Sequence, residues 1–300
     1  MLKKALLVGI NAYPLRGCVN DVKVMRELLV DLYDFPVDNI RLILDHEATT
    51  KGIVEGLEWL AQGGDQPAVR VFHYAGHGHS VPDKNGDEPD GSDEALVPYD
   101  CNSQGYLIDD KLKELYSRFP ANQNLTLIMD CCHSGTSQRG PEEMEVYYRF
   151  IPNTYEERQA IAAARKKFLQ AQMQFVKNEM KDLRGRIRGM DEEFERQLLA
   201  AMQKFEKQRF GDHRVREGNV LLAACRSDQQ AADAKINGTY HGAFTYFLVK
   251  LIRETRGKIT YQELIRKAGN LLYDYAFLQE PQLECNTGRE QANFLSHFVG

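Results

Sequence analysis

The sequence predicts an α/β fold: a mostly parallel central sheet with helices on both faces, plus an inserted helical hairpin. Three observations predict it. Short apolar runs alternate with stretches of helical spacing through the first part of the chain. Two of those runs end in histidine, cysteine, aspartate and glycine. From about Pro152 to Asp212 the alternation gives way to a charged, alanine-rich stretch, and then resumes.

The elements follow in order. The run KALLVGI (Lys4–Ile10) stops at Asn11 and Pro14 and reads as a strand. In NDVKVMRELLVDLY (Asn20–Tyr33), Val22, Met25, Leu28, Leu29 and Leu32 share one helical face, with Asn20 as the expected N-cap. NIRLILD (Asn39–Asp45) is a second strand, and TTKGIVEGLEWLAQ (Thr49–Gln62) a second helix ended by Gly63 and Gly64. AVRVFHYAG (Ala68–Gly76) is a third strand. Residues 81–100 hold seven acids against the single base Lys84, and read as a loop with a short hairpin at ALVPYD. Ile108–Phe119 is a helix and NLTLIMD (Asn124–Asp130) a fourth strand.

Thr154 and Glu157 then form a T-x-x-E capping box. Phe168, Val176, Met180 and Leu183 continue that helix, RGRIRG (Arg184–Gly189) breaks it, and Asp191 caps a second one. NVLLAAC (Asn219–Cys225) restores the strand pattern. Ala243–Glu254 and Thr260–Leu278 are helices, and Gln282–Glu284 and Asn293–Phe298 are closing extended segments. The division is 1–140, an inserted 141–215, and 216–300.

Composition narrows the class. Of 300 residues, 43% are hydrophobic and 27% charged, the balance of a soluble globular chain. A net charge of −5 argues against a nucleic-acid binder. No apolar run reaches the ~20 residues of a membrane span, and the apolar stretch after Lys3 and Lys4 is too short for a signal peptide, so a cytoplasmic protein is expected. The six cysteines show no C-x-x-C spacing, and reduced thiols are expected.

Ligands of open parallel sheets bind beyond the carboxyl ends of the strands. Here two strands end in YAGHG (Tyr74–Gly78) and DCCHSG (Asp130–Gly135). Neighbouring strands would bring a histidine and a cysteine to one edge, as nucleophilic catalysis by a thiol requires. The N–H groups of Gly78 and Cys132 could form an oxyanion hole. Adjacent Cys131 and Cys132 point to opposite faces of a strand, which argues against a shared zinc.

YAGHG followed by DCCHSG resembles the caspase-type cysteine peptidases, and more closely their metacaspase and orthocaspase branch. LLVGINAY, LRGCVNDV, DEALVPYD, LLAACRSDQQAAD and EPQLEC carry the same resemblance, which spans roughly 1–140 and 215–300. It implies a caspase-like fold, Cys132 as nucleophile and His77 as general base. His73, His79 and His133 are the competing histidines; His73 reads as structural. Cys131 reads as an inert buried thiol.

The resemblance also implies cleavage after arginine or lysine, with Asp21 and Asp130 lining the first specificity pocket and Cys18 beside them. Without it, Asp21 reads equally as a first-turn helix acid and Asp130 as a loop residue. Many metacaspases carry serine where this chain has Ala75. No cofactor is required by the resemblance; calcium is the optional one, at positions matching Asp93, Asp109 and Asp110. The region after the nucleophile motif, where a fourth acid is expected, reads TSQRG. The insert offers Arg184, Arg186 and Arg188 as self-cleavage positions, or a docking place for an activating protease or regulatory partner. The expected partners are protein or peptide substrates with basic residues, and the expected state is a monomer. The competing readings are a catalytically inactive sensor or scaffold acting through the hairpin, and a related hydrolase of other specificity.

Overall fold

A computed structural model describes residues 1–64, 66–120, 124–132, 141, 144–181, 196, 199–201, 219–286 and 288–296. The chain divides into two units, the first formed by residues 1–79, 94–152 and 214–300, the second by residues 80–93 and 153–213.

In the first unit, strand β1 (Leu2–Gly9) is buried from Lys4 onward. Helix α1 (Cys18–Tyr33) buries Val22, Met25, Leu28 and Leu29, the stripe its spacing predicts. It begins earlier than expected. Gly17 is its N-cap and makes no side-chain cap, while the side chain of Asn20 donates to the Tyr240 carbonyl at 2.9 Å. Strand β2 (Ile40–Leu44) and helix α2 (Thr50–Ala61) follow, the latter capped by Thr49 Oγ1 accepting from the Gly52 N–H. Every residue of strand β3 (Ala68–Ala75) is buried, the pattern of a strand covered on both faces.

Next come β4 (Gly78–Pro82), β5 (Ser92–Leu96), a single turn α3 (Cys101–Gln104), β6 (Leu107–Ile108), helix α4 (Asp109–Tyr116) and the fully buried β7 (Asn124–Asp130). Strand β8 (Val146–Tyr148) lies in a stretch where the sequence pattern gave no element. Helix α5 (Tyr155–Lys181) belongs to the second unit. The chain returns with β9 (Asn219–Ala223), β10 (Ala232–Ile236), β11 (Thr239–Gly242), α6 (Ala243–Glu254), α7 (Tyr261–Asp274) and β12 (Gln282–Cys285).

The central sheet has the order β12-β9-β7-β3-β1-β2, parallel except for β12. Its register sets Gly9 beside Ala75 and Ala75 beside Asp130, so the reactive strand ends share one edge. One face packs on α1, α6 and α7 through residues such as Met25, Leu29, Phe244, Leu248 and Leu264. The other packs on α2 and α4 through Ile53, Leu57, Leu60, Leu112 and Leu115. A second sheet, β11-β10-β8, is antiparallel throughout.

In the second unit, helix α5 runs for 27 residues from the expected capping box: Glu157 N–H donates to Thr154 Oγ1 at 3.2 Å, and Thr154 N–H to Glu157 Oε2 at 2.7 Å. Gly91, at φ +82°, lies against the α5 backbone, where a Cβ would meet Arg165 N. Asp191 and the turn holding Arg184, Arg186 and Arg188 lie outside the described residues. Among the described residues no helix is long and apolar enough to cross a membrane.

Candidate active site

The site stands at the carboxyl ends of β1, β3 and β7, and its walls come from the loop before α1 and from β10 and β11. Cys131 and Cys132 leave β7 toward opposite faces, Cys131 into the α2–α4 core and Cys132 into the α1–α6 side. Burial pushes the Cys131 thiol well up, so it is an unreactive core residue.

The backbone N–H groups of Gly78 and Cys132 converge on one oxygen. Both donate to the carbonyl of Arg149, at 2.9 and 3.1 Å. These are the two donors expected of an oxyanion hole, at distances suited to one. The oxygen they hold belongs to the chain itself.

The side chain of that same residue fills the neighbouring pocket. Arg149 is fully buried, with 0% exposure. Its Nη2 lies 2.6 Å from Asp21 Oδ2 and 3.1 Å from Asp233 Oδ2, and its Nη1 lies 3.2 Å from Asp130 Oδ2. Nη1 also donates to the Asp130 carbonyl at 3.1 Å. Burial opposes the charge on this guanidinium, but Asp130, Cys18, Asp21 and Asp233 overcome it and hold its pKa well above the ordinary value. An isolated buried carboxylate is costly, and three together are tolerable only with a cation among them.

Each acid is held from behind. Gly242 N–H and His241 Nδ1 lie 2.9 and 3.0 Å from the two Asp21 oxygens. Thr245 donates to Asp130 Oδ2 through its hydroxyl at 2.6 Å and its N–H at 3.1 Å. Gly17 N–H donates to Asp233 Oδ2 at 2.9 Å. Cys18 is fully buried with its sulfur 3.8 Å from the same oxygen. Burial, with Asp21 adding like charge against the pull of Arg149, raises Asp130 to about 6. Gly242 has to be glycine: a Cβ there would stand 2.7 Å from Arg149 Cζ and closer still to Asp130 Oδ2.

Sequence reading found Asp21, Asp130 and Cys18 and missed Asp233, His241, Thr245 and Arg149. The one available sign of Asp233 was its place at the end of LLAACRSDQQAAD.

His77 is 5% exposed, and desolvation by burial lowers its pKa, so the imidazole is neutral at pH 7. Its Nε2 lies 3.4 Å from the Tyr13 carbonyl. The Cys132 sulfur is turned elsewhere: it accepts from the Ala231 N–H and lies 3.8 Å from the Ala231 carbonyl, beside the Cys225 thiol. Among the described contacts, therefore, the backbones of residues 77–78 and 132 meet around one carbonyl, while no hydrogen bond joins the sulfur to the imidazole. His73 is fully buried and held to about 3 by burial and by Arg149, with Thr245 Oγ1 3.3 Å from its Nε2. His79 Nδ1 lies 2.8 Å from the Ile151 carbonyl. His133 lies outside the described residues.

The acids expected to hold calcium stand differently. Asp109 and Asp110 occupy the first turn of α4, where Lys113 lies 2.7 Å from Asp109 and 4.0 Å from Asp110. In the second unit Asp93 groups with Asp83 and Asp87, their ligand atoms within 4.8 Å of one another. These are oxygen donors of the kind calcium takes, but three carboxylates fall short of its 6–8 ligands. Asp83 already accepts from the Gly86 and Glu88 N–H groups at 2.6 and 3.2 Å.

Residues 3–140 match the metacaspase, peptidase C14 domain family. A metacaspase-1 from Scheffersomyces stipitis is 29% identical over 95% of this chain and 70% of that protein. Metacaspase-6 of Arabidopsis thaliana is 29% identical over 98% of this chain and all of that protein. A crystal structure of a Geobacter sulfurreducens protein superposes over both full chains with a TM-score of 0.63 at 20% identity, a likeness of fold. The domain match falls on the part of the chain that carries YAGHG and DCCHSG, and relatives align along nearly its whole length; this chain is similar to the metacaspases, and that likeness supports cysteine-type peptidase activity.

Proposed function

We propose that the enzyme is an endopeptidase that cuts after arginine, and after lysine less well, by a Cys132–His77 dyad. The observation that carries this reading is the fit of a guanidinium among Asp21, Asp130 and Asp233, joined to a carbonyl oxygen held by two amides. A planar guanidinium can address several carboxylates at once through separate N–H groups; a lysine ammonium is a single point of charge on a different stem.

In this reading the Arg149 side chain marks where the residue before the scissile bond sits, and its carbonyl marks the reacting one. Rotation about the Cα–Cβ bond of Cys132 turns the sulfur from Ala231 to the carbonyl carbon. Neutral His77 takes the thiol proton, and the thiolate attacks. The Gly78 and Cys132 amides hold the developing oxyanion, each worth roughly 2.7–4 kcal/mol in comparable sites. The imidazolium gives its proton to the leaving amine, and water then hydrolyses the thioester. We place the enzyme in the reducing cytoplasm, consistent with six free cysteines.

A set of fluorogenic peptides with arginine, lysine, asparagine or aspartate before the cleaved bond tests this. Arginine should lead lysine, the other two should be inert, and Cys132→Ala should abolish all turnover. Preference for aspartate or asparagine would refute the assignment.

A further inference from the structure

The acidic pocket and the two amides are filled by consecutive parts of one residue, and that residue lies at the end of a strand laid along the site. Strand β8 pairs antiparallel with β10, with Val146, Tyr147 and Tyr148 opposite Ala234, Asp233 and Ala232. Arg149 extends the ladder, its N–H donating to the Ala231 carbonyl at 3.0 Å. This is strand addition, the way an extended peptide docks on a sheet edge, main chain giving affinity and side chains giving register. The chain stays held past Arg149: Phe150 bridges to Gly78, and Ile151 N–H donates to the Gly78 carbonyl at 3.0 Å. Upstream, the Arg16 guanidinium stands 5.5 Å from the Tyr147 ring, and its Nη1 3.5 Å from Glu145.

A salt bridge serving only stability would not need its carbonyl in the grip of Gly78 and Cys132. Nor would it need an extended strand on one side of that carbonyl and a held segment on the other.

We propose that residues 146–151 are the enzyme's own first substrate, seated in the peptide groove, and that the bond cut is Arg149–Phe150. This rests on the arginine-specific reading above and moves self-processing away from the Arg184–Arg188 turn. In the first step a bond forms between Cys132 Sγ and the Arg149 carbonyl carbon, and the C–N bond to Phe150 breaks. The Phe150 nitrogen leaves as an amine with the proton carried by His77. In the second step water adds its oxygen to that carbon, the C–S bond breaks and the thiol regains a proton. The net change is hydrolysis of one peptide bond. Until it occurs, β8 excludes other peptides from the groove, so self-cleavage precedes turnover of other substrates.

The test follows the purified full chain by intact mass and N-terminal sequencing, with an arginyl fluorogenic peptide assayed in the same samples. Cys132→Ala, Arg149→Ala and Phe150→Pro run alongside. Wild type should yield a fragment ending at Arg149 and a new N-terminus at Phe150, and peptide hydrolysis should rise with that cut after a lag. Cys132→Ala should stay whole. Phe150→Pro, which keeps the guanidinium but replaces the leaving amine, should stay uncut at 149–150 and hydrolyse the peptide at least tenfold more slowly. Arg149→Ala should hydrolyse it without a lag. Turnover of arginyl peptides by wild type or Arg149→Ala with the wild-type 149–150 bond intact, or with cuts only elsewhere, overturns this inference and leaves the proposed function standing. Failure of wild type and Arg149→Ala alike on every arginyl peptide overturns both. The wild-type mass readout needs no variant to fold.

Discussion

Asp21, Asp130 and Asp233 converge in one place, and Asp83, Asp87 and Asp93 in another, yet the two groups are held by different means. The first three are fully buried around the Arg149 guanidinium, which comes from a strand far along the chain. In the second group Asp83 takes N–H donors from its own loop, only three and five residues on. Asp90 likewise accepts from Ser92 N–H at 3.0 Å. An acid served by neighbouring amides shapes a loop and needs no cation. Acids at 0% exposure need a cation among them, and in the proposed function they are the receptor for an arginine side chain.

The contrast breaks most visibly by removing one acid from each group. Asp21→Asn takes the 2.6 Å partner from a fully buried guanidinium. Breaking such a pair costs about 3–5 kcal/mol, roughly a hundred- to several-thousandfold in kcat/KM on arginyl peptides. Steady-state kinetics on Arg149→Ala and on its Asp21→Asn double variant measures this without the internal strand competing. A loss below about tenfold would mean that Asp21 serves the fold and not the pocket.

A methyl group inside the receptor is the next effect in size. Gly242→Ala puts a carbon 2.7 Å from the Arg149 Cζ position. KM for arginyl peptides should rise about tenfold or more, since overpacking a tight site typically costs ~1–3 kcal/mol. The lysyl rate should fall less, because an ammonium is narrower than the guanidinium fork. Equal losses on both would indicate a general distortion of α6.

pH separates the receptor from the dyad. Asp130 sits at about 6, above the ordinary carboxyl value, chiefly through burial. As pH falls through about 6 it gains a proton, the pocket loses a charge, and KM for arginine should rise. His77 is lowered by burial, so its basic form persists below the usual histidine range and kcat should fall only at a pH below that range. For folding the sign is opposite to that of an ordinary salt-bridged acid. The folded protein holds the Asp130 proton between about 4 and 6 where the unfolded chain has lost it. That contribution favours the fold in acid and is gone above about 6. Urea midpoints of wild type minus Asp130→Asn should therefore fall as pH rises across that window.

The same contrast explains what could be read from sequence. Asn124–Asp130 and Ala243–Glu254 stand where their apolar patterns put them, because the period of a buried strand or an amphipathic helix is local information. Thr154 and Glu157 are three residues apart, and their cap was equally legible. The strands that complete the site, β8, β10 and β11, run three to five residues, and β8 and β10 pair across more than eighty positions of chain. Nothing in EVYYRF or QAADAKI announces that pairing. Asp21 and Asp130 were found through a family pattern; Asp233 carries no local sign that sets it apart from a loop acid. Arg149 carries no local sign either, because its seating depends on contacts with distant segments of the chain.

The smallest effect tests the loop side of the contrast. Asp83→Asn keeps the shape of the side chain and one carbonyl acceptor, so of the two hydrogen bonds donated by the Gly86 and Glu88 N–H groups one is weakened and the other lost. Charged acceptors strengthen such bonds to roughly 1.5–3 kcal/mol, neutral ones to about 1. A stability loss of about 1–2 kcal/mol is expected, read from chemical denaturation, with kcat/KM on arginyl peptides unchanged within a factor of two. The same loss should appear with and without added calcium if the loop amides are what Asp83 serves. A calcium-dependent rise in melting temperature that is present in wild type and absent in Asp83→Asn would make the second cluster a receptor too, for a metal in place of a guanidinium, and the distinction between the two groups of acids would become one of occupant alone.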